Sequence, residues 1–199
     1  VATNMFSIRP QVVSVQPTQG SVGTVVTIYS TGYATGDAVT IAFGTNASIQ
    51  TAIAGQHGSF TTSFTVDVQA YGTTTIRAIG VSVATNVFNI LPQVVSVQPT
   101  QGTVGTKVTI YSTGYAAGDV VIVAFGTNAS IQTAVAGQHG SFTASFTVDV
   151  QRYGTTTITA SGVSSATNVF NIQPQVVSVM PTAGTGGTVV TINSTGYAL

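Results

Sequence analysis

The chain holds few residues able to do chemistry, and their spacing keeps them apart. Histidine occurs twice, at His57 and His139, each inside the run GQHGSF. An imidazole can act as a base or a metal ligand. Zinc, however, needs three or four ligands, and these two histidines stand 82 residues apart, each between turn glycines. The acids are Asp37, Asp67, Asp119 and Asp149, with no glutamate. Calcium takes six to eight oxygens, several of them carboxylate, and no Asp-x-Asp cluster is present to supply them. Nothing in the spacing of Asp37 and Asp67 points them into one cleft as an acid/base pair for glycoside hydrolysis. Serine and threonine are abundant, yet no base can be assigned to activate any of them. Cysteine is absent, which removes disulfides and thiolate chemistry. Lys107 is the only lysine, so a Lys–Asn isopeptide staple is not a general device here. The expectation is a chain with no catalytic residue, no cofactor and no metal site.

Composition narrows the partners. Charged residues make up 4% of the chain, with four basic and four acidic side chains, against about 25% in ordinary soluble proteins. A surface so poor in charge promotes association, so copies of the chain itself are the expected partners. Disorder is excluded, because disordered chains combine low hydrophobicity with high charge, whereas 43% of this one is hydrophobic. Four scattered cations make no phosphate-binding patch, which argues against nucleic acid. The longest apolar run, VVIVAF at Val120–Phe125, has strand length. Spanning a bilayer as a helix takes about 18 apolar residues or more, so no membrane span is expected in this segment.

One modification has a motif. Asn-x-Ser/Thr occurs at Asn46, Asn128 and Asn193, the acceptor pattern for N-linked glycans in secreted proteins. Covalent glycans there would help to keep so uncharged a surface soluble.

The elements that carry these residues come from a repeat. PQVVSV begins at Pro10, Pro92 and Pro174, two intervals of 82 residues. Residues 10–91 and 92–173 differ at 13 positions, so 82 − 13 = 69 are identical. Residues 1–9 match 83–91, which makes them the last strand of a preceding repeat. The expected organisation is therefore 1–9, repeat one at 10–91, repeat two at 92–173, and the first strands of a third, truncated repeat at 174–199. The natural object is expected to be a longer array. Pro10, Pro92 and Pro174 mark the joints between repeats, with essentially no linker. A proline fixes φ and removes a donor, which favours a short, stiff joint.

Within a unit, Thr, Val, Ile, Phe and Tyr alternate between glycine-containing turns every 8–12 residues, the pattern of a β-sandwich or barrel. Strands are expected near Gln11–Val15, Thr24–Ser30, Ala38–Phe43, Ser48–Ile53, Ser59–Val66, Thr73–Ile79 and Ala84–Ile90. The class is all-β: tandem seven-stranded immunoglobulin-like sandwich repeats of 82 residues. Comparing the copies assigns faces, since strand side chains alternate. Val25 becomes Lys107, Arg77 becomes Thr159 and Ile79 becomes Ser161, so those positions face out. The core of repeat one is then Val26, Ile28, Val39, Ile41, Phe43, Phe60, Phe64, Val66, Ile76, Phe88 and Ile90. Ala38→Val120 and Thr40→Ile122 make the outward face of the third strand of repeat two continuously apolar. That predicts a lateral or inter-module contact. Tyr71 and Tyr153 sit where a tyrosine corner would stand.

The run PQVVSVQPTQGSVGTVVTIYSTGYATGDAVTIAFGT, with Gly23-Thr24-Val25-Val26-Thr27-Ile28, Thr31-Gly32-Tyr33 and the Gly36-Asp37 turn, resembles the start of an IPT/TIG-type immunoglobulin-like domain. GSFTTSFTV at Gly58–Val66 is similar to the matching strand in repeats of large prokaryotic surface proteins. The resemblance implies a tandem stalk, surface-layer or filament protein, with no catalytic residues to carry over. Two functions are expected from different classes. The first is a structural segment of a long extracellular fibre, stalk or surface layer that associates with copies of itself laterally or end to end. The second is an adhesin-type module that binds glycan or protein through its end loops, for which Tyr33, Tyr115 and Tyr197 are the only aromatic candidates, capping the core being an equal alternative for them.

Overall fold

A computed structural model describes residues 7–197. Residues 1–6, which carry most of the expected strand 1–9, and residues 198–199 lie outside the described residues. Everything that is regular is strand, and no helix occurs among the described residues.

The chain divides into two compact units, Val1–Leu91 and Pro92–Leu199. Repeat one forms β1 (Gln11–Gln16), β2 (Gln19–Gly20), β3 (Val25–Thr31), β4 (Ala38–Phe43), β5 (Asn46–Ile53), β6 (Phe60–Thr65), β7 (Gly72–Ile79) and β8 (Val83–Ile90). The seven expected strands are all present, with bounds within two residues. The two-residue β2 is an addition that alternation could not signal, because two residues carry no period. It carries the chain past Pro17 from one sheet to the other. One sheet has the order β1-β3-β6 and the other β2-β8-β7-β4-β5. Repeat two follows the same plan with β9 (Gln93–Gln98), β10 (Gln101–Gly102), β11 (Lys107–Thr113), β12 (Val120–Phe125), β13 (Asn128–Val135), β14 (Phe142–Thr147), β15 (Gly154–Ser161) and β16 (Ser165–Ile172). Its sheets are β9-β11-β14 and β10-β16-β15-β12-β13. The third copy contributes an antiparallel pair, β17 (Gln175–Met180) and β18 (Thr191–Thr195).

Two facing sheets with a strand split between them make an immunoglobulin-like sandwich. The inner faces hold the core. All eleven residues expected inside repeat one are buried, joined by Val12, Val15, Tyr33, Ala54, Ala78 and Ala84. Phe43 sits at the centre, its ring 5.1 Å from Phe64 and 5.8 Å from Phe88. Burying each such side chain stabilises the fold by about 1.5–3 kcal/mol. Repeat two repeats the arrangement around Phe125.

The direction of the outer strands matters for function. Asn86 bonds Val12, the Asn89 N–H donates to the Thr18 carbonyl, and the Leu91 N–H donates to the Gly20 carbonyl. Numbers rise together on both sides, so the first and last strands run parallel and adjacent. The chain therefore enters a repeat at one pole of the sandwich and leaves it at the other. Repeat two does the same through Asn168 to Val94, Asn171 to Thr100 and Gln173 to Gly102.

Candidate functional site

Each repeat carries one polar cluster, at the pole where the chain leaves. The β4–β5 turn begins at Gly44, whose φ of +54° lies in the region that favours glycine. A Cβ there would also collide with the amide of Gln69. The missing side chain lets Gln69 bury its own amide against the turn, with 3% of the residue exposed. Gln69 Oε1 accepts from the Thr45 N–H and the Thr45 hydroxyl, both at 3.2 Å. Its Nε2 donates to the Phe43 carbonyl at 3.4 Å and to Asp67 Oδ1 at 2.8 Å. The second Asp67 oxygen accepts from Asn46 Nδ2 at 2.9 Å. Gln151, Thr127, Phe125, Asp149 and Asn128 reproduce the network in repeat two. Every polar atom that Gln69 offers is used to hold its own turn. The cluster is a plug for the buried Phe43 carbonyl and the part-buried Thr45 N–H, as buried polar groups require.

The opposite pole holds Asp37. Its Oδ2 accepts from the Val81 N–H in the β7–β8 turn at 3.2 Å. Asp37 and Asp67 thus stand at opposite poles and form no carboxylate pair. His57 and His139 lie exposed in their turns. Among the described residues, no group of three or more His, Cys, Asp or Glu side chains is close enough to hold a metal ion.

Tyr71 and Tyr153 differ from the sequence expectation, whereas Tyr33 and Tyr115 take the core-capping place that was one of their two expected roles. Tyr71 and Tyr153 are exposed at 42% and 60%, so neither makes a tyrosine corner. The tyrosine that bonds backbone from within the core is Tyr33, whose hydroxyl donates to the Ala78 carbonyl at 3.1 Å. Tyr115 does the same to Ala160 at 2.9 Å. Burial pushes both phenols above their usual pKa, reinforced by the negative charge of Asp37 or Asp119 and partly offset by the Ser30 or Ser112 hydroxyl. A run of TGY gives no period that decides between a core cap and an exposed loop tyrosine.

A hollow of about 750 Å³ lies in the second unit between Thr127, Gln151–Tyr153 and Ser194–Tyr197. It is lined by Tyr197, which is 54% exposed. In both whole repeats the same tyrosine turns inward to a carbonyl on β7 or β15.

The glycan acceptors differ in access. Asn46 and Asn128 are half-buried and give their amide N–H groups to Asp67 and Asp149. Asn193 is exposed on β18. The joint prolines can be placed in part. Where the chain passes Pro10, Gly32 closes over it with φ +88°, and a Cβ on Gly32 would stand 2.5 Å from the Arg9 carbonyl oxygen. Gly196 meets the Gln173 carbonyl and Pro174 in the same manner. Pro92 is half-buried.

The apolar outer stripe is traded across a row. Val120 and Ile122 are 62% and 44% exposed. In repeat one the row through that position reads Thr51–Thr40–Ile79–Val83. In repeat two it reads Thr133–Ile122–Ser161–Ser165. The apolar group moves one strand over, and the row as a whole becomes more polar.

No family model matches the chain, and no curated protein sequence matches it. Among solved structures, the chain is similar to the adhesin InvE of Yersinia pseudotuberculosis, at 14% identity and a TM-score of 0.37, over 82% of this chain and 58% of that one. It is similar to the BSP domain of a biofilm-associated protein at 18% identity and a TM-score of 0.28, over 80% and 29% of the two chains. The N-terminal eight immunoglobulin domains of Down Syndrome Cell Adhesion Molecule match at 13% identity and a TM-score of 0.32, over 96% and 28%. The chain spans less than two thirds of each of these structures.

Proposed function

We propose that the chain is a non-catalytic structural segment of a long extracellular fibre, stalk or surface-layer protein, built from IPT/TIG-type immunoglobulin-like repeats. The observation that carries this reading is the parallel course of the first and last strands, which brings the chain in at one pole and out at the other. A tandem array of such repeats gains length with every copy. The bonds of Asp67, Gln69 and Asp37 support it further, because the residues most able to do chemistry are consumed in holding turns. Copies of the chain are the proposed partners, favoured by its low charge. Covalent glycans are proposed at the acceptors, with Asn193 the most open of Asn46, Asn128 and Asn193.

The adhesin reading draws less support. It relied on tyrosines in end loops, and Tyr33 and Tyr115 are buried with their hydroxyls already bonded.

Negative-stain imaging of a longer array of the same unit tests the proposal. Rods that lengthen by a constant step per repeat and associate with one another are expected. Freely bending, non-associating monomers would overturn it, and specific hits on a glycan array would favour the adhesin reading.

A further inference from the structure

Two side-chain amides clasp the open sides of each sandwich, one per side. On one side Gln50 of β5 donates from Nε2 to the Ser63 carbonyl of β6 at 3.0 Å, while its Oε1 accepts from the Thr51 N–H at 2.9 Å. On the other side Asn86 of β8 donates from Nδ2 to the Val12 carbonyl of β1 at 3.1 Å, while its Oδ1 accepts from the Val87 N–H at 2.8 Å. The chemistry is the same. Each amide oxygen takes the next backbone N–H on its own strand, and each nitrogen crosses to the other sheet. Val12 can offer its carbonyl because the β1–β3 register slips between Val12 and Ser14. Gln132 and Asn168 repeat both clasps.

The two clasps differ in what they join. Gln50 ties two interior strands of the chain. Asn86 ties the first strand to the last. The parallel pair β2–β8 lies beside it, with the Asn89 N–H on the Thr18 carbonyl at 3.0 Å and the Leu91 N–H on the Gly20 carbonyl at 2.9 Å. We propose that each repeat resists pulling force, and that its mechanical clamp is this contact between first and last strands, closed by Asn86 in repeat one and Asn168 in repeat two. The proposal rests on the stalk reading for its use, but not for its mechanics. Tension on a repeat acts on β1 and β8 in opposite directions along their shared axis. Bonds crossing between strands pulled that way load together in shear and do not open one at a time. Relative sliding of β1 and β8 must break the Asn86 bond and the two parallel bonds. It leaves Gln50 and Ser63 outside the line of force.

The experiment stretches the full chain by its two ends at constant force. Each of the two whole repeats should release its 82 residues in one step, roughly 250–300 Å of extended chain. Asn86→Ala with Asn168→Ala should raise the unfolding rate under force about five- to tenfold. Gln50→Ala with Gln132→Ala should change it by less than about twofold, although each removes the same bonds. Denaturant unfolding of both double variants should show similar losses, which separates mechanics from stability. If the asparagine variants fold poorly, Leu91→Pro with Gln173→Pro removes one parallel bond per repeat at the end of the strand and should also speed unfolding under force. Equal effects from the glutamine and asparagine pairs would overturn the clamp, as would no effect from the asparagine or proline pairs. Imaging of arrays tests the stalk separately, so a failed clamp leaves rods intact, and a failed stalk leaves the force response intact.

Discussion

The Gln50 side chain spans from β5 to the Ser63 carbonyl on β6 at 3.0 Å, joining the exposed edges of two sheets whose backbones share no bond there. Unpaired strand edges are templates for other strands, and proteins blunt them with charges, bulges or covering groups. This chain has almost no charge to use. It uses amides, which satisfy an N–H on one strand and a carbonyl on the other. Removing Gln50 and Gln132 should therefore free both groups at each edge. The expected outcome is a loss of about 1 kcal/mol per repeat in denaturant unfolding, with stronger concentration-dependent association than the unaltered chain in sedimentation velocity. Unchanged sedimentation would mean that the edges are guarded by something else.

Gln69 has the harder task, because its amide is buried. Gln69→Leu strips the Thr45 N–H and the Phe43 carbonyl of a partner and leaves Asp67 Oδ1 bare. A cost of about 2–4 kcal/mol is expected for repeat one, larger than for Gln50→Ala, because the Phe43 carbonyl stays buried. Chemical denaturation that monitors each repeat in turn would check it, and equal losses at Gln50 and Gln69 would contradict the plug.

Gly32 packs against the chain at Arg9 and Pro10. Its φ is +88° and a Cβ would meet the Arg9 carbonyl oxygen at 2.5 Å. Gly32→Ala should therefore strain the backbone and push the incoming chain off the sandwich, costing about 1–3 kcal/mol. Proteolysis at Arg9 should become faster than in the unaltered chain. A variant with unchanged stability and unchanged cleavage would show that the incoming chain is not held there.

Alkaline pH tests the buried tyrosines. The folded-state pKa of Tyr33 and Tyr115 is raised by burial, with Asp37 and Asp119 adding to it. The neutral phenol is thus favoured by the fold. Its contribution is fully present below the unfolded value of about 10 and is lost as pH rises through the folded value. Stability against denaturant should fall in that window. Tyr33→Phe with Tyr115→Phe should flatten the fall while costing about 1 kcal/mol per repeat at neutral pH from the lost bonds to Ala78 and Ala160. An unaltered alkaline slope would rule these two phenols out as its source.

Much of the sandwich was legible from alternation. Val26 and Ile28 share a parity opposite to Val25, and a single difference, Val25→Lys107, is enough to say which parity faces water. The same logic placed Ile76 inside and Arg77 outside. It failed where no strand period exists. Tyr33 follows a glycine at the end of β3, and Tyr71 precedes β7, so neither has a parity to read. The inward tyrosine was the one in TGY, and the expected corner tyrosine stands in solvent. The apolar run of β12 was legible as a change along one strand. Its offset by Ser161 and Ser165 was not, because the compensation runs across the sheet.

The sequence by itself determined the repeat, the all-β class and which side chains of each strand enter the core. The reason is that a strand's period of two is a local property, readable over a few residues. The tertiary structure alone decided which strands become neighbours. It set Asn86 against Val12, 74 residues away, Gln69 against Thr45, 24 away, and Gln50 against Ser63, 13 away. Such contacts depend on register, on a bulge in β1 and on the crossing of β2 to the second sheet. An amide carries no mark of the carbonyl it will meet. That is why the polar plugs, the edge clasps and the shear contact between first and last strands appear only when the sheets are paired.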